Sequence, residues 1–108
     1  MDTVAKYREI VQRLMMEYVN AKNGKFVTYP VFDGEHDRYL VVSHGWDDRR
    51  RHYCVLHVDI IDGKIWVQCD NTDRPIALEL VAAGVPRDHI VLGFRRPELR
   101  KHTEFAVA

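Results

Sequence analysis

The chain changes its hydrophobic period twice. Val4, Tyr7, Val11, Leu14, Met15 and Tyr18 recur at three- and four-residue steps, which predicts an amphipathic helix. Asp2 or Thr3 can cap it by accepting a hydrogen bond from an unpaired backbone N–H. The stretch 20–24 supplies a stop, because Gly24 tolerates the left-handed conformation that ends many helices. Alternation then replaces the helical period. Residues 26–33 are rich in β-branched and aromatic side chains and read as a strand. Pro30 cannot donate to a ladder, so this is an edge strand. A turn at residues 33–36 leads to a second strand at 38–46, and a polar connection at 47–50 leads to a third at 52–61. Asp62-Gly63 is a two-residue hairpin signal suited to positive φ, and residues 64–70 form the fourth strand.

That hairpin predicts a register. With Ile61 opposite Lys64, Ile60 meets Ile65, Val58 meets Val67 and Leu56 meets Cys69 on the core face. The second face then pairs Asp59 with Trp66 and His57 with Gln68, and adds Val55 and Tyr53. Helical signals return in the last third. Thr72 or Asp73 can cap a helix whose first turn suits Pro75 and whose stripe is Ile76, Ala77, Leu80 and Val81, ending at Gly84. Residues 87–91 read as a short helical turn, Gly93-Phe94 as a turn and a core anchor, and 97–102 as one polar helical turn. Phe105-Ala106-Val107 makes an apolar tail. One helix, four consecutive strands and then helices predict a single α+β domain over residues 1–108. Its four-stranded antiparallel meander is covered on one face by the N-terminal helix and the helix at Ile76.

Composition narrows the function. The chain has 108 residues, with 16 Lys plus Arg against 16 Asp plus Glu, so its formal net charge is zero. That argues against nucleic-acid coating or membrane-surface binding through bulk charge. No apolar run is long enough to span a bilayer. Residues 1–11, with Asp2, Lys6, Arg8 and Glu9, do not resemble a secretory signal, so a cytoplasmic location is expected. Cys54 and Cys69 form no CxxC and read as two reduced core thiols, offset diagonally and too far apart for an unstrained bridge.

Six histidines invite a metal or acid–base reading, but no HExxH and no helical His pair is present, and neither a metal nor a cofactor is expected. His57 and Asp59 project from one strand face two residues apart. They can be a His–carboxylate dyad of a small hydrolase or nuclease, or a polar pair on a sheet face. Arg49, Arg50 and Arg51 at a hairpin tip can grip phosphates, or be a solvated tip neutralised by Asp47 and Asp48. Arg95, Arg96, Arg100 and Lys101 form a second basic stretch. The cluster Tyr53, Val55, His57, Asp59, Trp66 and Gln68 is the candidate interface, since Trp and Tyr anchor contacts. Self-association or partner binding is expected there, and the rival occupant is the tail, folded back.

Several motifs together resemble a known family. They are Cys54-Val55-Leu56-His57-Val58-Asp59-Ile60 leading through Asp62-Gly63 to Lys64-Ile65-Trp66-Val67-Gln68; Ile76-Ala77 with Glu79-Leu80-Val81 and Gly84-Val85-Pro86; and Ile90-Val91-Leu92-Gly93-Phe94, closing with Thr103-Glu104-Phe105-Ala106-Val107. Tyr7-Arg8 and Gly45-Trp46 are also similar. In this order they resemble the XisI family, the fdxN-element excision controlling factors of cyanobacteria. Members often carry His and Gly where this chain has Cys69 and Asn71, and the connection at 49–52 also differs. The resemblance implies a non-catalytic regulatory factor in the programmed excision of a DNA element during heterocyst development. It implies an XisH-like partner with an endonuclease-type fold and action beside a recombinase complex. Direct DNA contact stays an alternative, and a homo-oligomer is expected.

Overall fold

The computed structural model describes residues 2–21 and 25–108. Helix α1 (Thr3–Ala21) is followed by β1 (Phe26–Asp33), β2 (Arg38–Trp46), β3 (Arg50–Ile61) and β4 (Lys64–Asp70). Then come α2 (Ile76–Ala82), a 3-10 turn (Arg87–His89), β5 (Ile90–Leu92) and a second 3-10 segment (Pro97–His102). The sheet order is β1-β2-β3-β4-β5, antiparallel except that β5 runs parallel to β4. The α+β architecture is therefore present, with one strand more than the sequence predicts. The turn expected over 87–91 stops at His89, and three consecutive apolar residues, two of them β-branched, extend beside β4 instead.

The helices start at carboxylates. Asp2 Oδ1 accepts the N–H of Ala5 at 2.8 Å, so Asp2 and not Thr3 caps α1. For α2, Asp70 Oδ2 accepts the N–H of Ile76 at 2.8 Å, while Oδ1 accepts the N–H of Thr72 at 3.0 Å. The end of β4 thus supplies the cap expected from Thr72 or Asp73. Gly84, at φ +104°, ends α2 as expected. The predicted stop of α1 is only partly on view: the helix runs through Ala21, and residues 22–24 lie outside the described residues.

The stripe of α1, Tyr7, Ile10, Val11, Leu14, Met15 and Tyr18, is buried against the sheet. Ile76, Ala77 and Leu80 of α2 complete the cover over Leu56, Val58, Ile60, Ile65 and Val67, the core face expected. Each fully buried aliphatic side chain contributes about 1.5–3 kcal/mol. The Tyr18 hydroxyl donates to the Arg74 carbonyl, and the Arg74 guanidinium lies 4.6 Å above the Tyr18 ring. These contacts tie α1 to the start of α2.

Asp62 and Gly63, at φ +51° and +77°, close the predicted hairpin, and its register holds from Ile61↔Lys64 to Val58↔Val67. Beyond Val58 it shifts by one, leaving Gln68 extra on β4, so His57 faces Cys69 and Leu56 faces Asp70. A second shift lies between β2 and β3. Val41 pairs with Leu56 and Val42 with Cys54, leaving Val55 extra. Val41, Val55 and Leu56 are all fully buried. The bulge thus moves Val55 from the second face, where strict alternation places it, into the core. Tyr53, in register with the buried Ser43, packs against the core as well. Cys54 shares the outer row with Val42. It and Cys69 are free, half-buried thiols, not members of the core.

Asp37 joins three elements. Its carboxylate accepts bonds from Arg8 of α1, from Nε at 2.7 Å and from a terminal nitrogen at 3.1 Å, and from the hydroxyl of the fully buried Tyr39 at 2.8 Å. Its carbonyl accepts the N–H of Ile60 on β3 at 3.1 Å. The Arg8 guanidinium holds the Asp37 carboxyl below the usual range, and burial, aided by Asp37, pushes the Tyr39 phenol up to about 12. Asp37→Ala leaves the Tyr39 hydroxyl without this partner and puts alanine at φ +55°, so a stability loss of about 2 kcal/mol is expected by chemical denaturation. Asp37→Asn, which keeps an acceptor and tolerates that φ, costs less. The Asp37 contribution is present above the unfolded carboxylate range and is lost as pH falls through its lowered folded pKa. The Tyr39 contribution is present below the ordinary tyrosine pKa and is lost as pH rises through about 12, so melting temperature falls along the alkaline limb.

Candidate functional site

The sheet face away from the helices carries the chemistry. Asp59 is its pivot: buried, at 6% exposure, although it belongs to the outer row. His57 Nε2 lies 2.9 Å from Asp59 Oδ1, and Gln68 Nε2 donates to Oδ2 at 3.3 Å. Arg38 on β2, directly opposite Asp59, brings its Nε to 3.8 Å. A carboxylate withdrawn from water is thus compensated from three strands. The His57–Asp59 pair predicted from their two-residue spacing is formed. The Gln68 bulge points that amide at Asp59 although Gln68 is not the cross-strand partner of His57. A histidine held by a carboxylate can take up or release a proton. The nearest thiol in the ladder, Cys69, has its sulfur at the Cys54 carbonyl (3.8 Å) and the Asn71 amide nitrogen (3.4 Å). Among the described residues no group of three or more His, Cys, Asp or Glu is placed to hold a metal ion.

The C-terminal segment covers one end of this face. Ala106 bridges to Val91 in parallel and donates its N–H to the Ile90 carbonyl at 2.8 Å. The Lys64 ammonium donates to the Ala108 carbonyl. The Arg100 guanidinium lies 5.1 Å from the Trp66 ring and donates to the carbonyls of Arg95, Val107 and Gly93. Val91, in register with Trp66, is fully buried yet lies outside the core cluster. The tail therefore occupies the Trp66 end. Gly93 permits the approach: a Cβ there would sit 2.4 Å from Gln68 Oε1 and 3.2 Å from the Trp66 ring. Phe94, expected as a core anchor, is 47% exposed with the Arg95 guanidinium over its ring.

The six candidate interface residues are accordingly split. His57, Asp59, Trp66 and Gln68 share the outer face, whereas Tyr53 and Val55 belong to the core side. Arg50 and Arg51 of the hairpin tip lie on opposite rows, yet both line one groove together with Arg49. Arg50 pairs with Trp46 on the outer row and stacks on its ring at 5.8 Å. Arg51 pairs with Gly45 on the other row and is engaged by Asp47 at 3.1 Å and Asp48 at 3.4 Å. An open groove of about 620 Å³ lies between them, lined by Phe26, Asp47, Arg49, Arg50, Arg51, His52 and Tyr53.

Sequence reasoning missed two features. Arg100 clasps the tail to Trp66, and nothing in a basic stretch singles it out. Val27, Tyr29 and Val31 line the outer row of β1 at 55, 39 and 47% exposure. Their signal was available, since β1 is apolar in both of its alternating rows.

Burial, with the neighbouring Cys69 thiol adding to it, pushes the Cys54 thiol up to about 11. In the folded protein Cys54 is therefore expected to alkylate slowly at neutral pH. Its rate should rise about tenfold per pH unit until near that value. Under denaturing, non-reducing conditions a thiol count of two is expected from the two free cysteines.

Comparison with known proteins places this geometry. The XisI protein family model matches residues 1–107. The structure of an XisI-like protein from Anabaena variabilis ATCC 29413 is similar at 40% identity and a TM-score of 0.89, over 99% of this chain and 100% of that one. That of the fdxN element excision controlling factor XisI from the same organism is similar at 34% identity and a TM-score of 0.88, again over 99% and 100%. No curated protein matches the sequence.

Proposed function

Because the chain belongs to the XisI family, we propose that it is a non-catalytic controlling factor in the programmed excision of a DNA element, acting by contact with another protein. The observation that carries this reading is the full-length likeness to a solved excision controlling factor. The partner we propose is an XisH-like protein of endonuclease-type fold, beside the recombinase, in the cytoplasm of a cyanobacterial cell. The contact we assign to it is the polar half of the outer face, where His57, Gln68 and Trp66 stand half-exposed around the buried Asp59. Such a surface fits a protein contact: hydrogen-bonding groups preset around a buried carboxylate, beside the edge of an indole whose ring Arg100 covers.

The Asp59–His57 hydrogen bond supports a second reading, acid–base catalysis by a small hydrolase or nuclease. Direct DNA binding through Arg49, Arg50 and Arg51 is a third. Co-expression with the neighbouring reading frame, followed by affinity capture, separates them. Stoichiometric recovery of an endonuclease-like protein is expected, with His57→Ala lowering that recovery by about tenfold, as loss of an interface hot spot does. Nucleic-acid cleavage by the isolated chain, abolished by His57→Ala, would overturn the regulatory reading in favour of the enzyme. Tight DNA binding by the isolated chain that weakens steeply with salt would favour the third.

A further inference from the structure

The outer face has a second half, over β1 and β2, which the C-terminal segment does not reach. Its rows are read directly from the register. Val27, Tyr29 and Val31 of β1 lie opposite His44, Val42 and Leu40 of β2, and Trp46 ends the β2 row at 63% exposure. A sheet face meant for water carries polar side chains in alternation with the buried ones. Here both rows of β1 are apolar, so the exposed one is built for contact.

We propose that this half-face packs on the same half-face of a second copy of the chain. The two sheets lie face to face with their strands antiparallel, about a two-fold axis running across the strands. Two observations select this occupant and this arrangement. The first is Pro30, midway along β1. Lacking an N–H, it breaks the row of donors that a strand added at the β1 edge would need, which leaves the face and not the edge for pairing.

The second is charge. One end of these strands carries the exposed Lys25, Arg49 and Arg50, next to the stacked rings of His44 and His52, while the exposed Asp47 and Asp48 there are engaged by Arg51. The other end carries the exposed Asp33 and Glu35, while Arg38 there faces Asp59. A two-fold axis across the strands sets the basic end of each copy over the acidic end of its mate, twice. An axis along the strands sets like charge on like. The apolar centre, Tyr29 beside Val42, meets its own equivalent, as an isologous contact requires. The proposal is independent of the partner contact at His57 and Trp66, which lies on the other half of the face.

Sedimentation equilibrium of the full chain tests it. The wild type is expected to be a dimer that weakens as salt rises. Val31→Asp is expected to raise the dissociation constant by about tenfold or more. Because Val31 is exposed in the single chain, the circular dichroism spectrum and melting point of the diluted monomer should not change. Arg50→Glu and Glu35→Arg should each weaken the dimer, and the double variant should restore it. A wild type that stays monomeric up to millimolar concentration would overturn the proposal. So would a dimer indifferent to Val31→Asp, or a monomer that uses this half-face to capture the XisH-like protein. Failure of the double variant to restore association would overturn the antiparallel arrangement. Loss of XisH capture in His57→Ala, with the dimer intact, leaves the two contacts separate, as proposed.

Discussion

The structure depends on where two strands each gain one residue. Side chains alternate across a sheet, so a single extra residue exchanges the faces of everything beyond it. β3 must deliver Val58 and Ile60 to the helices at one end, and Tyr53 and Val55 to the same side at the other. Strict alternation cannot do this, since Val55 and Val58 stand an odd number of steps apart. With Val55 extra, Val55 and Leu56 both face Val41 and all three are fully buried. Otherwise either Val55 and Tyr53 would lie in water, or Asp59 would enter an apolar core at a cost of several kcal/mol. Gln68, the extra residue on β4, gives its neutral amide to Asp59 Oδ2.

These insertions also mark how far the sequence could be read. Helix α1, the limits of β1, β2 and β4, and the pairing from Ile61 to Val58 follow from period, turn chemistry and proline, all of which act within a few residues. The parallel strand β5 did not follow, because its partner β4 is more than twenty positions earlier and three residues carry too little pattern. Neither bulge is marked by a glycine or proline; each arises from the need to satisfy neighbours on both sides. That is why strict alternation puts Tyr53 and Val55 on the outer face, where they do not lie, yet places His57, Asp59, Trp66 and Gln68 correctly. The cap on Ile76 was missed for a related reason. Asp70 lies six residues upstream, beyond the reach of local capping rules, and the fold brings it back.

The outer face is consequently two surfaces. Over β4 and β5 it is dressed by the chain's own C-terminal segment, with Gly93 allowing the backbone close to Trp66 and Arg100 closing over the indole. Over β1 and β2 it is bare and apolar. Between them lies the polar knot of His57, Asp59, Gln68 and Arg38, fixed by contacts from three strands. A chain of zero net charge thus carries regions of distinct character on one face, without a basic surface dominating any of them.

The way the C-terminal segment is attached has a kinetic consequence. The meander from β1 to β4 is built from contacts between consecutive strands, and α1 rests on it through a continuous apolar stripe. The last residues hold on by a single β-bridge, a few hydrogen bonds, the Arg87–Glu104 ion pair, two cation–ring contacts and the packing of Phe105 on the core edge, with Phe94, Leu99 and Val107 largely in water. Such a unit forms after the meander it rests on and opens well below the free energy of global unfolding. Each opening strips the cover from Val91 and Trp66 and adds a second exposed apolar patch to the rows of β1 and β2. For the lifetime of that excited state the molecule shows two apolar patches on one face, one on each side of the polar knot. The rate at which the tail recloses therefore bounds how long a nascent or stressed chain is open to promiscuous association.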